Sequence, residues 1–164
     1  MTEPQKHILL VEDSRTVSAT ASKLLESNGY KVTTLVSFSE FWAFCKMEGL
    51  DTVDVIITDL SMGSSRAGLR VAAEVHCRNS KIPVFLNSTE AIQVVLEQRD
   101  VIKGVFEKKG KEGWQGEMLA AVAEVLSPVT SDEAIVHPGF EDFDFAPNSA
   151  AQSYAERMGF FQKW

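Results

Sequence analysis

Five short apolar runs, set apart by segments of helical periodicity, limit this chain more than any other feature. The most informative is Val53 to Met62, which reads Val-Asp-Val-Ile-Ile-Thr-Asp-Leu-Ser-Met. Val55, Ile56 and Ile57 are apolar without alternation, as a strand covered on both faces requires. The run stops on Asp59. Leu60 to Gly68 then supplies Ser, Gly and Arg, a loop composition. Asp59 is therefore expected at the carboxyl end of a buried strand, where an open α/β sheet collects ligands and chemistry.

The other runs fit the same scheme. His7 to Val11 predicts a central strand ending at Glu12 and Asp13. Ser14 opens a helical segment with Val17, Ala21, Leu24 and Leu25 on one face, and Gly29 closes it. Lys31 to Val36 is β-branched and reads as a second strand. Ser37 and Glu40 have capping-box spacing ahead of Phe38, Phe41, Trp42 and Cys45, an aromatic stripe suited to packing on a sheet. Leu69, Ala72, Ala73 and His76 share the next helix face, with His76 as a partly buried core residue.

Ile82 to Leu86 predicts the fourth strand, with Pro83 at its start and Asn87, Ser88 and Thr89 at its end. Ala91 to Gln98 predicts a helix. Gly104 to Phe106 is a short fifth strand followed by Glu107, Lys108 and Lys109. Glu112 to Leu126 predicts a last helix with Trp114, Met118, Val122 and Val125 on one face. Strict β–α alternation with short connections implies an α/β fold. The expected form is a doubly wound, flavodoxin-like, five-stranded parallel sheet in the order 2-1-3-4-5. Strands 1 and 3 are then neighbours, and Glu12, Asp13 and Asp59 meet.

Composition bounds the rest. The chain has 164 residues and a formal net charge of −7, which argues against a nucleic-acid surface. No apolar run approaches the roughly 20 residues of a bilayer span, and the first residues lack a signal-peptide core. A cytoplasmic location is the default expectation. Two cysteines, Cys45 and Cys77, do not form a disulfide framework and are expected to be buried free thiols.

Residues 5–127 read as one domain and 128–164 as a C-terminal extension. The extension carries six acids against two bases, and the preceding part 17 acids against 14 bases. Phe140, Phe143, Phe145, Phe160, Phe161, Tyr154 and Trp164 make it too aromatic for an inert tail. Ala150 to Met158 is a candidate short amphipathic helix.

Three carboxylates at adjacent strand ends repel one another unless a cation intervenes. Oxygen ligands without His or Cys suit a hard ion, and Mg²⁺ fits best. A hydroxyl from Ser88 and an ammonium from Lys108 or Lys109 complete a site for a phosphoryl group, with Asp59 as the candidate nucleophile. Each piece also has a plainer reading. Glu12 and Asp13 suit a helix N-terminus, Ser88 a helix cap, and the lysines a solvated turn. All three plain readings holding together is the less economical account.

In this combination the chain resembles the receiver domain of two-component response regulators, from His7 to about Leu126. Ile8-Leu9-Leu10-Val11-Glu12-Asp13-Ser14 is similar to the family's first strand and acidic pair. Asp54 to Asp59, with Leu60 and Met62, is similar to its phospho-acceptor strand. Ile82 to Ser88 and Gly104 to Lys108 resemble its fourth and fifth strand motifs. The resemblance implies that Asp59 accepts a phosphoryl group from a histidine kinase or phosphotransfer protein. It implies Mg²⁺ held by Glu12, Asp13, Asp59 and the backbone carbonyl of Ser61, with self-catalysed phosphorylation and dephosphorylation. It assigns Ser88 and Lys108, or alternatively Lys109, to the phosphoryl oxygens.

Gly63 and Lys109 or Gly110 stand where the family commonly has proline. The loop from Gly63 to Gly68 is one residue longer than is usual in the family. Val105 takes the aromatic switch position if Lys108 is the site lysine. Output is expected through a protein partner, by the face of the fourth helix, fifth strand and fifth helix or by the extension. A homodimer is compatible with this. The alternatives are a phosphorylation-independent scaffold, or the receiver part of a larger signalling protein. A nucleotide or flavin binder is disfavoured, because acids replace a Gly-rich loop after the first strand.

Overall fold

The computed structural model describes residues 4–64, 66–89, 101–108 and 113–127. Its strands are β1 (His7–Val11), β2 (Lys31–Leu35), β3 (Val55–Asp59), β4 (Val84–Ser88) and β5 (Gly104–Glu107). Its helices are α1 (Arg15–Ser27), α2 (Phe38–Met47), α3 (Ala67–Arg78) and α4 (Trp114–Leu126). All four strand pairs are parallel, and the order is β2-β1-β3-β4-β5, as the alternation predicts. The helix expected over 91–98 and the extension 128–164 lie outside the described residues, as does Lys109.

The two-residue period of the strands sorts the core into two layers. Leu9, Val11, Ile56 and Leu86 face one side, where Phe41 of α2 and Val71 and Val75 of α3 cover them. Ile8, Leu10, Ile57, Phe85 and Phe106 face the other, beneath Ala21 and Leu25 of α1 and Met118 and Val122 of α4. Each such aliphatic or aromatic side chain contributes about 1.5–3 kcal/mol when fully buried. β1, β3 and β4 are buried at every residue, whereas β2, at the sheet edge, is half-exposed.

Local chemistry sets the helix starts. Ser14 caps α1 by accepting the Val17 N–H, and Ser37 caps α2 by accepting the Glu40 N–H at 3.1 Å. The return arm of the predicted capping box differs. Glu40 accepts the N–H of Val36 at 2.9 Å, one residue before the cap, so it ties the end of β2 to α2.

Several expectations are corrected. β4 begins at Val84, two residues late, because Pro83 has no N–H and the Ile82 N–H closes a turn on Asn79. It continues through Asn87 and Ser88, whose carbonyls accept from Leu60 and Lys108. The buried positions of α3 are Ala67, Gly68, Leu69, Val71, Ala72 and Val75, so Ala73 is only half-buried, while His76 is half-buried as expected. Cys77 falls on the outer face and is exposed, whereas Cys45 is buried. The stripe of α4 runs Trp114, Met118, Val122 and on to Leu126 at four-residue steps, which leaves Val125 exposed.

Candidate functional site

The carboxyl ends of four strands supply the site. Glu12 and Asp13 follow β1, Asp59 ends β3, Asn87 and Ser88 end β4, and Lys108 follows β5. Glu12 and Asp59 are buried and Asp13 is exposed. One carboxylate oxygen from each of these three acids lies within 4.8 Å of the others. Ser61, two residues beyond Asp59, is exposed.

Lys108 bridges the cluster. Its Nζ donates to Glu12 Oε2 and to Asp59 Oδ1, both at 2.8 Å. Its own N–H donates to the Ser88 carbonyl at 2.8 Å, so the backbone that carries the ammonium is pinned to β4. The second oxygen of Glu12 accepts the Ser14 N–H at 3.1 Å, which couples the acidic pair to the start of α1. Ser88 is buried at the end of β4.

Burial disfavours the Lys108 ammonium, but its hydrogen bonds to Asp59 and Glu12 outweigh that and raise its pKa above the ordinary value. Burial, with the charge of Asp59 beside it, pushes the Glu12 carboxyl up against the pull of Lys108. Lys108 therefore stays charged, and its bonded carboxylate Glu12 is easier to protonate than a free one. Three carboxylates against one ammonium leave a formal −2 in the cluster. The donor set is oxygen alone, which suits a hard divalent cation.

Two further residues escaped the sequence reading. Gly68, in the first turn of α3, packs so closely on β3 that a Cβ there would press into the Asp59 carbonyl oxygen. Its position in a Ser/Gly/Arg loop carried no sign of that contact. Asn87 is 1% exposed, and neither its Oδ1 nor its Nδ2 has a hydrogen-bond partner. A buried orphan of this kind costs about 1–3 kcal/mol. A polar residue ending an otherwise apolar strand was its only signal.

The family model of the response regulator receiver domain matches residues 8–110. The chain belongs to that family. This receiver domain is also similar to solved structures of the same fold. The chemotaxis response regulator CheY4 of Vibrio cholerae is 22% identical with a TM-score of 0.61, over 75% of this chain and 100% of that one. The non-phosphorylated HemR receiver domain of Leptospira biflexa is 19% identical with a TM-score of 0.64, over 83% and 100%. A CheY-like receiver domain protein of Methanospirillum hungatei is 15% identical with a TM-score of 0.63, over 74% and 93%. Among the described residues of this receiver domain, no helix is long and apolar enough to cross a membrane.

Proposed function

We propose that this receiver domain works in a phosphorelay, taking a phosphoryl group on Asp59 from the phosphohistidine of a kinase or phosphotransfer protein. The bridge from Lys108 to Asp59 and Glu12 carries the reading, because it fixes an ammonium beside the one carboxylate that ends a central strand. Asp59 attacks phosphorus, an O–P bond forms as the N–P bond breaks, and the imidazole leaves. Lys108 stabilises the charge on the phosphoryl oxygens, and the Ser88 hydroxyl donates to one of them. The two bonds of Lys108 support it over Lys109 as the lysine of the site.

The oxygen-only donors and the excess negative charge fit Mg²⁺, held by Glu12, Asp13, Asp59 and the Ser61 carbonyl. When bound, the ion neutralises charge on the transferring group. Glu12, already bonded to Ser14 and Lys108, is placed to act through these partners, and exposed Asp13 is the acid most open to a hydrated ion. Output runs through a downstream protein, by the face that includes β5 and α4 or by the extension 128–164.

Incubation with Mg²⁺ and acetyl phosphate, followed by intact-mass measurement, tests the reading. Wild type should gain one phosphoryl group and Asp59→Asn none. Equal labelling of the two, or no labelling of wild type, would leave the phosphorylation-independent scaffold as the better account.

A further inference from the structure

We infer that Asn87 is a positioning residue of this site, whose side-chain carboxamide holds the Lys108 ammonium in place for the incoming phosphoryl group. The inference rests on the phosphorelay reading above and adds a residue to it.

The pleat puts Asn87 there. Phe85 packs in the layer beneath α1 and α4, and Asn87 lies two residues further on the same face of β4. Its register partner on β3 is Asp59, two residues beyond Ile57 of the same layer. Glu12 likewise follows Leu10, and Lys108 follows Phe106. Glu12, Asp59 and Asn87 thus stand at one level across three adjacent strands, and Lys108 stands two residues further along β5, past Phe106, the register partner of Asn87.

Lys108 starts on the β5 side of β4, yet its ammonium rests on Asp59 of β3 and Glu12 of β1. Its side chain therefore crosses the end of β4, where Asn87 stands. Two of its three N–H groups are used on the carboxylates. The third is a donor, and Asn87 Oδ1 is an acceptor with no partner.

The Asn87 carbonyl accepts the Leu60 N–H at 2.9 Å, and the atoms without a partner are those of its side chain. An oxygen-rich group arriving on Asp59 draws the ammonium from the carboxylates towards the phosphoryl oxygens. Asn87 Oδ1 then keeps Lys108 over β4, and the Nδ2 hydrogens donate to the new oxygens. A polar residue at this place is paired only while the site carries its load.

The test uses the full chain with Mg²⁺ and acetyl phosphate, and compares wild type, Asn87→Leu, Lys108→Met and the double variant. Initial phosphorylation rates come from intact mass, and thermal melts are run in parallel. Asn87→Leu should phosphorylate about tenfold more slowly, the equivalent of one hydrogen bond to a charged group. Its melting temperature should equal or exceed that of wild type, because an unpaired amide gives way to an apolar group of similar volume. On the Lys108→Met background, Asn87→Leu should have no further effect.

A wild-type rate for Asn87→Leu overturns the inference and leaves Asn87 as a core residue holding buried water. The same tenfold loss without Lys108 overturns it too, since Asn87 would then act independently. If Leu does not fit, Asn87→Ser and Asn87→Ala make the comparison at small volume, and equal rates for that pair are fatal. Failure of wild type to take phosphate removes the phosphorelay reading along with this one. Phosphorylation of wild type and Asn87→Leu alike removes only this one.

Discussion

A Cβ on Gly68 would meet not only the Asp59 carbonyl oxygen but also Leu60 Cα, at 2.9 Å. Both obstacles are backbone, so no rotamer change relieves them. The Gly68 N–H also donates to the Leu60 carbonyl at 3.0 Å, which draws α3 onto the end of β3. Gly68→Ala should therefore destabilise the fold by about 3 kcal/mol, at the upper end of overpacking costs. Chemical denaturation measures this, and a loss under 0.5 kcal/mol, the scale of an ordinary surface change, would show that the contact yields easily. The two cysteines give a second contrast. Burial pushes the Cys45 thiol up to about 11, and Cys77 is exposed. A thiol reagent at neutral pH should label one cysteine in the native protein and both after unfolding; rapid native labelling of Cys45 would contradict its burial. Asp59, Glu12, Asp13 and Lys108 were all legible in the sequence because each ends an apolar run. Gly68, Asn87 and the outward turn of Cys77 were not, since each depends on what a second element brings against it.

Among the elements, β1 organises the two ends of the sheet differently. Its carboxyl end delivers Glu12 to the site. Its amino end begins at His7, a buried residue whose Nδ1 lies 3.1 Å from the Thr52 carbonyl and whose Nε2 lies 2.8 Å from Thr33 Oγ1. A carbonyl only accepts, so Nδ1 carries the proton and Nε2 accepts from the threonine hydroxyl. Burial first, and Lys31 after it, hold His7 below its ordinary 6.5, against the opposing pull of Thr52, Asp54 and Glu48. The folded state thus prefers the neutral ring, and the unfolded chain binds the extra proton. Stability from this residue is present above pH 6.5 and is lost as pH falls through the lowered folded value. Urea midpoints measured for wild type and His7→Gln between pH 7.5 and 5.5 should converge as the pH falls. A gap that stays constant across that range would mean that His7 does not titrate with unfolding. The same elements show why boundaries were harder to read than existence. Strand periodicity identified β4, but its start was moved by a missing Pro83 N–H and its end by bonds from Leu60 and Lys108, the residues that follow β3 and β5.

At the scale of the molecule, the sheet gathers charge that no single element would tolerate. β1, β3 and β5 each bring a charged end to one place, and the order β2-β1-β3-β4-β5 makes β1 and β3 neighbours there. One ammonium against three carboxylates leaves repulsion within the folded state that the unfolded chain lacks. Sites of function commonly hold stability down in this way. Two opposite effects on melting follow. Asp13→Asn removes one exposed carboxylate without touching the Lys108 bonds, so it should raise the metal-free melting temperature. Mg²⁺ should raise that of wild type, because an ion that binds only the folded chain stabilises it by mass action. At ten times its dissociation constant the gain is about 1.4 kcal/mol, or about 5 °C for a domain of this size. In Asp13→Asn the Mg²⁺ increment should shrink towards zero while the starting point stays high. Differential scanning calorimetry with and without Mg²⁺ separates the two. An Asp13→Asn protein that melts lower than wild type without metal would show that Asp13 is no source of the repulsion, and one that keeps the full Mg²⁺ increment would show that it is no ligand of the ion.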